Sequence, residues 1–318
     1  MASANTRGCL LWVAALLQAA CLGPARPDRP TPPVDAGTSD LAADAGLTEP
    51  PHLRVATFNV HRFFDTVCQS GSCAPGSYEE QFTQAQFDAK ADDLAAAIRL
   101  FGADVVVLQE LESQACLDAL ATRLADVLPS SVLGETGAAA SVDVAVMSYG
   151  PITQTVRHRD RVLTRPDGTT TVFSREFLEV HLEFAGRPVV AFAAHFRSKV
   201  NDDPGRRLAE AQAAHELLVA ASQAQPNALV VFGGDLNDVP GSPPLLALES
   251  DGRLLRVASD RPVAAQATYL YAGTGEAIDH LYVATGGAGA YLAGSAQVLP
   301  FTAGSDHNPL AADFSLPP

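Results

Sequence analysis

Gly234-Asp235-Leu236-Asn237, directly after the apolar run 228–232, is the stretch whose reading decides the fold. A short, β-branched apolar run of this kind suits a buried strand. Asp235 and Asn237 then stand where strand gives way to loop. Working outward, other apolar runs end in the same way. Thr57-Phe58-Asn59 follows residues 53–56, and Gln109-Glu110 follows residues 105–108. His195 closes 188–194, Asp279 lies at the head of 278–283, and Ser305-Asp306-His307 precedes 309–314. Rigid scaffolds display catalytic groups at strand–loop junctions, so this repetition predicts an active site.

Between these runs the pattern alternates strand and helix. Phe87, Ala91, Leu94, Ile98 and Phe101 fall on one helical face that Gly102 ends. Leu117, Leu120, Leu124 and Val127 mark a second helix, and residues 205–222 a third. Residues 142–147, 171–183 and 188–194 read as strands, the last two joined at Ala185-Gly186-Arg187. Mixed strand polarity with helices outside predicts an α/β sandwich built on two sheets.

The chain has 318 residues, 47% of them hydrophobic, enough for one large α/β domain and a leader. Arg7 followed by an apolar stretch, residues 9–20, reads as an export signal over residues 1–20. Gln18-Ala19-Ala20-Cys21 resembles a bacterial lipobox with Gln18 at a position usually aliphatic, so lipidation at Cys21 and free secretion both stay open. Residues 21–50, rich in Pro, Ala and Asp, read as a disordered tether, and residues 51–318 as the catalytic domain. The expected location is outside the cytoplasm of a bacterium, either secreted or held at the outer surface or in the periplasm as a lipoprotein. No obligate protein partner is implied.

In an exported protein Cys68 and Cys73 are expected to form a disulfide, and Cys116, in a helix, to be a small buried side chain. The net charge of −15 excludes nucleic-acid binding by bulk attraction. A polyanion would need local bases or a bridging cation. Arg157, Arg159, Arg161 and Arg165 form one such local cluster, for which ordinary solvated surface charge is at least as good a reading. Arg197, Lys199, Arg206 and Arg207 carry more weight because they follow His195 closely.

The strand-end residues form a chemically coherent set. Glu110 is the best ligand for a hard divalent cation, and Asn59 offers an amide oxygen to the cation or to a neighbouring ligand. Asp235 and Asn237, two apart, would point the same way if the backbone stayed extended. His195 and His307 are the proton-transfer candidates, with Asp279 or Asp306 orienting His307. His52, His61, His158, His181, His215 and His280 read as structural, His61 being the one to re-examine for its closeness to Asn59. There is no Gly-x-Ser-x-Gly elbow, and Gly286-Gly287-Ala288-Gly289 lacks the lysine of a phosphate loop.

Taken in order, Thr57-Phe58-Asn59-Val60, Leu108-Gln109-Glu110, Ser174-Arg175-Glu176, Ala194-His195, Gly234-Asp235-Leu236-Asn237-Asp238, Ile278-Asp279-His280 and Ser305-Asp306-His307 resemble the endonuclease/exonuclease/phosphatase superfamily. Phe173-Ser174-Arg175-Glu176 and His195-Phe196-Arg197-Ser198-Lys199 look most like its secreted bacterial nucleases. The resemblance implies a DNase I-like four-layered α/β sandwich with two packed mixed β-sheets. It implies Mg²⁺, with Mn²⁺ or Ca²⁺ as substitutes, bound by Glu110 with Asn59 and Asp306. By the same resemblance His307 and Asp235 activate or position the attacking water, and Asp279 orients His307. Asn237 and His195 would contact the scissile phosphate, and Arg175, Arg197 and Lys199 the phosphates beyond it. Nucleic acid is the implied substrate.

This sequence departs from that pattern at His61, where an Arg is common, and shows no recognisable minor-groove loops. The same fold serves sphingomyelin and inositol-phosphate phosphodiesterases or phosphatases. A sphingomyelinase would be expected to expose an aromatic hairpin, and none is evident from the single Trp, in the leader, and six Tyr. A catalytically dead surface-binding module is the third reading, and the intact metal and histidine positions argue against it.

Overall fold

The computed structural model describes residues 52–300 and 304–316. The expected export segment, Cys21 and the 21–50 tether lie outside the described residues. No helix among the described residues is long and apolar enough to cross a membrane.

The apolar runs pair into two large mixed sheets. The first runs Ala290–Tyr291, Leu310–Ser315, His52–Phe63, Val105–Leu111, Asp143–Ser148, Ser130–Gly134, with Gln297–Val298 also on Leu310–Ser315. The second runs Leu254–Arg256, Asp279–Ala284, Leu229–Asp235, Arg187–His195, Leu178–Phe184, Ile152–Arg157. Period-two alternation sorts each strand's side chains between layers. Leu53 and Val55 join Val231, Ala193 and Leu281 in a core between the sheets. Ala56, Phe58 and Val60 face the other way and pack with Leu94 and Leu117 of the helices Gln84–Phe101 and Gln114–Leu124. Val230 and Phe232 pack on Ala211, Ala214 and Leu218 of the helix Pro204–Ala224. The result is helix, sheet, sheet, helix, the expected four-layered sandwich.

Local chemistry sets the helix ends. Thr83 and Gln86 form a capping box, which starts the first helix at Gln84, and Gly102 closes it at φ 55°. The Asp203 side chain accepts the Arg206 N–H, and Pro204 opens the third helix.

One expected strand is wrong. Residues 171–183 form two pieces: Thr170–Thr171 pairs with Leu163–Thr164, and Leu178–Phe184 belongs to the second sheet. Residues 172–177 leave the ladder because other groups hold this segment. The Ser174 N–H donates to Glu210 (2.7 Å), and the Glu176 carboxylate accepts from the His158 and Arg159 N–H groups (2.7 and 2.9 Å). Cys68 and Cys73 are disulfide-bonded, and Cys116 is free and buried, its thiol pushed up to about 12 by that burial.

Candidate active site

Three neighbouring strands of the second sheet end together. Asp235 lies opposite His195 in the parallel pairing and opposite Asp279 in the antiparallel one, so the three residues form a row. Alternation points all three inward, because Val231, Ala191 and Ala193, and Leu281 and Val283 already fill the core between the sheets. The two glycines before Asp235 serve separate contacts. A Cβ on Gly234 would fall on the Ala194 carbonyl. A Cβ on Gly233 would lie 2.9 Å from Leu281 Cδ2 on the neighbouring strand, and 3.3 Å from Thr57 Cβ and 3.4 Å from Val107 Cγ2 on the opposite sheet.

From that opposite sheet Asn59 reaches across. Its Nδ2 donates to Asp235 Oδ2 (3.0 Å) and Glu110 Oε1 (3.3 Å), and its Oδ1 accepts the His61 N–H (2.9 Å). Glu110 sits in a bulge at φ 70°, and His61 and Arg62 are also left-handed, at 50° and 47°. Such backbone costs on the order of 1–3 kcal/mol per residue and persists only where neighbours over-determine it. Here Glu110 Oε2 accepts the Arg62 N–H (2.8 Å), and Lys90 Nζ donates to the His61 and Arg62 carbonyls. Burial pulls the Lys90 ammonium down to about 8, with the Glu110 charge opposing.

His307 closes the site from the last loop. Its Nδ1 lies 2.8 Å from Asp279 Oδ2, and its Nε2 lies 4.0 Å from Asp235 Oδ2 and 3.9 Å from Asp306 Oδ1. Asp279, not Asp306, is therefore its orienting carboxylate. The Ser305 hydroxyl donates to the Asn59 carbonyl (2.7 Å) and accepts the His307 N–H (3.0 Å), tying the two loops together. The Tyr269 ring packs on His307 at 4.8 Å. Burial alone would lower the His307 pKa, but Asp279, then Asp235 and Asp306, carry it up to about 10. Burial and the Asp279 charge push Asp235 up to about 7. His195 lies 3.7 Å from Asp235 through Nε2. Burial, then the charges of Arg175 and His307, hold it well below the usual range and therefore neutral.

A model of the family described as Endonuclease/Exonuclease/phosphatase matches residues 56–307, from the first strand to this histidine. The chain belongs to that family. Its fold is similar to an endonuclease/exonuclease/phosphatase family protein from Bacteroides thetaiotaomicron, at TM-score 0.61 and 17% identity, covering 85% of this chain and 99% of that one. It is also similar to the human Nocturnin catalytic domain with bound sulfate, at TM-score 0.60 and 16% identity, covering 84% and 95%. D. rerio TDP2 complexed with a single-strand DNA product gives TM-score 0.56 and 16% identity, covering 83% and 98%. No curated protein sequence matches the chain.

Members of the endonuclease/exonuclease/phosphatase family are metal-dependent phosphoester hydrolases. The donors here fit such a cation. Glu110, half-buried at the mouth, has each oxygen taking a single N–H, and Asp306 is exposed nearby, so the set is all oxygen and suits a hard divalent ion. Asn59 presents its amide N–H to Glu110 and so buttresses the ligand. A second carboxylate group, Asp235 and Asp279 with His307, is also close enough to hold an ion, and Asp279 Oδ1 is buried without a partner.

The structure therefore gathers Asn59, Glu110, His195, Asp235, Asp279, Asp306 and His307. Asn237 turns away from the extended path at φ 52°; its N–H donates to Asp235 Oδ1 (2.9 Å) and its Nδ2 to the Phe196 carbonyl (3.2 Å). Arg175 stays near the site, donating to the Phe196 carbonyl (3.0 Å). Arg197 folds back on the Asn201 carbonyl (2.8 Å), and Lys199 lies 3.5 Å from Asp238. Arg206 pairs with Glu210 and buried Arg207 with Asp238 and Asp202, so these bases brace loops.

Sequence reasoning missed Lys90, Tyr269 and Glu210. Lys90 and Tyr269 act on His61 and His307 through contacts made only in three dimensions, and Glu210 looked like one more charge on a helix. An exposed aromatic hairpin, not evident in the sequence, is present: Tyr269–Tyr271 pairs with Thr274–Glu276 and exposes Leu270 and Tyr271. Its turn is Ala272-Gly273, both at positive φ, and its strands are too short to register as a pattern.

Proposed function

We propose that this protein is an exported, Mg²⁺-dependent phosphodiesterase that hydrolyses nucleic acid. The observation that carries the reading is the His307–Asp279 pair beside Asp235, facing Glu110 across the Asn59 bridge. A bound divalent ion would supply charge neutralisation at a phosphoryl oxygen. The chain's own groups do the rest. Asp235, with a pKa near neutrality, can accept a proton from water. His307, cationic through Asp279, offers its Nε2 hydrogen to a phosphoryl oxygen, and neutral His195 lines the same space beside Asp235. Asn59 fixes Asp235 relative to Glu110. Arg175, half-buried beside His195, supplies a further positive charge. Export is supported by the leader pattern and by the Cys68–Cys73 bridge, with Cys21 as the candidate lipidation site.

The exposed Leu270-Tyr271 ribbon favours keeping one alternative, a phosphodiesterase acting at a lipid surface. One experiment separates the two. The mature protein and its Glu110→Gln variant are incubated with plasmid DNA, single-stranded DNA, RNA and sphingomyelin, each with Mg²⁺ or EDTA. We expect nucleic-acid hydrolysis that needs both Mg²⁺ and Glu110. Full hydrolysis in EDTA, or by folded Glu110→Gln, would sink the metal role. Cleavage of sphingomyelin alone would replace the nuclease reading.

A further inference from the structure

Exposed aromatic side chains are scarce. Among the described residues, Tyr78 and Tyr271 are the exposed ones, at 51% and 62%. Both border the catalytic mouth, on different sides. Tyr78 lies under the Arg62 guanidinium (4.8 Å to the ring centroid), and the Arg62 N–H holds Glu110. Its hydroxyl also feels the charges of Glu110 and Arg175. Tyr271 stands two residues from Tyr269, whose ring covers His307 and whose backbone bridges to it. One ring thus marks the metal-ligand side and the other the histidine side.

Both rings are presented by fixed backbone. The Tyr78 segment is tied by the Cys68–Cys73 bond, by the Glu79 carboxylate, which accepts the Gln69 and Ser70 N–H groups, and by packing of Tyr78 on Phe64 at 5.8 Å. Tyr271 is held in register opposite Thr274.

A protein of charge −15 gains no long-range attraction for a polyanion, and Arg197, Lys199 and Arg207 are engaged within the chain. Stacking on a base supplies affinity that needs no charge and tolerates any sequence. It also needs a base whose face is free, which a duplex hides. We propose that Tyr78 and Tyr271 are stacking platforms for bases on either side of the scissile phosphate, so that the substrate is single-stranded nucleic acid. The proposal rests on the nuclease reading. Insertion of the Tyr271 ribbon into a membrane is disfavoured by the Asp306 and Glu276 carboxylates beside it.

The test uses the full mature chain carrying Glu110→Gln, so that a labelled strand is bound without being cut. Affinity is measured by anisotropy for oligo-dT, for an abasic strand of equal length, and for phosphatidylcholine–sphingomyelin vesicles. Tyr78→Ala and Tyr271→Ala should each weaken oligo-dT binding on the order of tenfold. Tyr78→Trp and Tyr271→Trp should retain it, and Leu100→Ala, an exposed apolar change on the first helix, should do nothing. The parent should bind the abasic strand as weakly as the double Ala variant binds oligo-dT. Equal affinity for abasic and dT strands overturns the platforms, as does an unchanged double variant or a loss confined to vesicles. Hydrolysis by the wild-type chain is scored separately: its absence on every nucleic acid removes the nuclease reading, whereas hydrolysis with unchanged binding removes only the stacking.

Discussion

His307 owes its charge to Asp279, and His195 owes its neutrality to burial beside Arg175, so the two histidines fill different posts in one site. Replacing either by Ala should lower the rate on the order of a hundredfold or more, the scale of positioned acid–base groups. His158 and His215 bond to Glu179 and to the Leu248 carbonyl, away from the row, and their Ala variants should retain most activity. Equal losses at all four in steady-state assays would mean that stability, not chemistry, had been measured. A second residue-scale outcome concerns Glu112, buried beyond Glu110. Burial, then the Asp65 and Glu79 charges, raise its pKa to about 7 against a hydrogen bond from the Asp65 N–H. For an acid raised on folding, the stabilising contribution is complete below the unfolded value near 4.5 and is lost as pH rises through 7. The melting temperature should therefore fall between pH 5 and 8, and less steeply in Glu112→Gln; parallel curves would refute this. At this scale the sequence was readable wherever a polar residue ended an apolar run, as at Asp235 and His195. It was unreadable where a side chain acts through distant backbone, as Lys90 does on His61.

Among elements, the segment 172–177 and the one after His195 share a single support. Buried Glu210 accepts the Ser174 and Arg197 N–H groups, both at 2.7 Å, so one helical carboxylate holds the loops that carry Arg175 and follow His195. Glu210→Gln keeps the shape but can accept at only one oxygen. Charge-assisted bonds are worth about 1.5–3 kcal/mol each, so the variant should melt lower and lose activity several-fold. Amide exchange at Ser174 and Arg197 should accelerate; protection equal to wild type would show that the loops stand without it. This explains why a continuous strand was expected over 171–183. The β-forming residues are there, but the partner that draws them off the ladder lies on a helix remote in sequence. Helix ends were legible only where the signal is local: Gly102 stops the first helix as expected, whereas the second ends at Leu124 and leaves Val127 in the turn after it.

For the whole molecule, the four layers follow from period-two sorting of strand side chains between three cores. Alternation of strand and helix along the chain pointed to two sheets with helices outside, and the four-layered form came from the family resemblance. Spacing between the sheets could not be read, since it depends on which small side chains meet. Here Gly233 matters beyond its fit. Its neighbours Thr57 and Val107 belong to the sheet that carries Asn59 and Glu110, while Gly233 itself leads into Asp235. The gap at this glycine thus acts as a caliper, one jaw bearing the proposed metal ligand and the other the proton-transfer row. Gly233→Ala would displace the Leu281 side chain and press on Thr57 and Val107, which would have to give by a few tenths of an ångström and so open the jaws, with overpacking costing about 1–3 kcal/mol. Turnover should drop further than that loss of stability accounts for, measured as kcat on protein still fully folded. Activity falling only in step with the folded fraction would mean that the jaws tolerate slack. If turnover does drop further, packing density in the middle of this protein becomes a kinetic parameter, and evolution could retune its chemistry without touching a residue that meets the substrate.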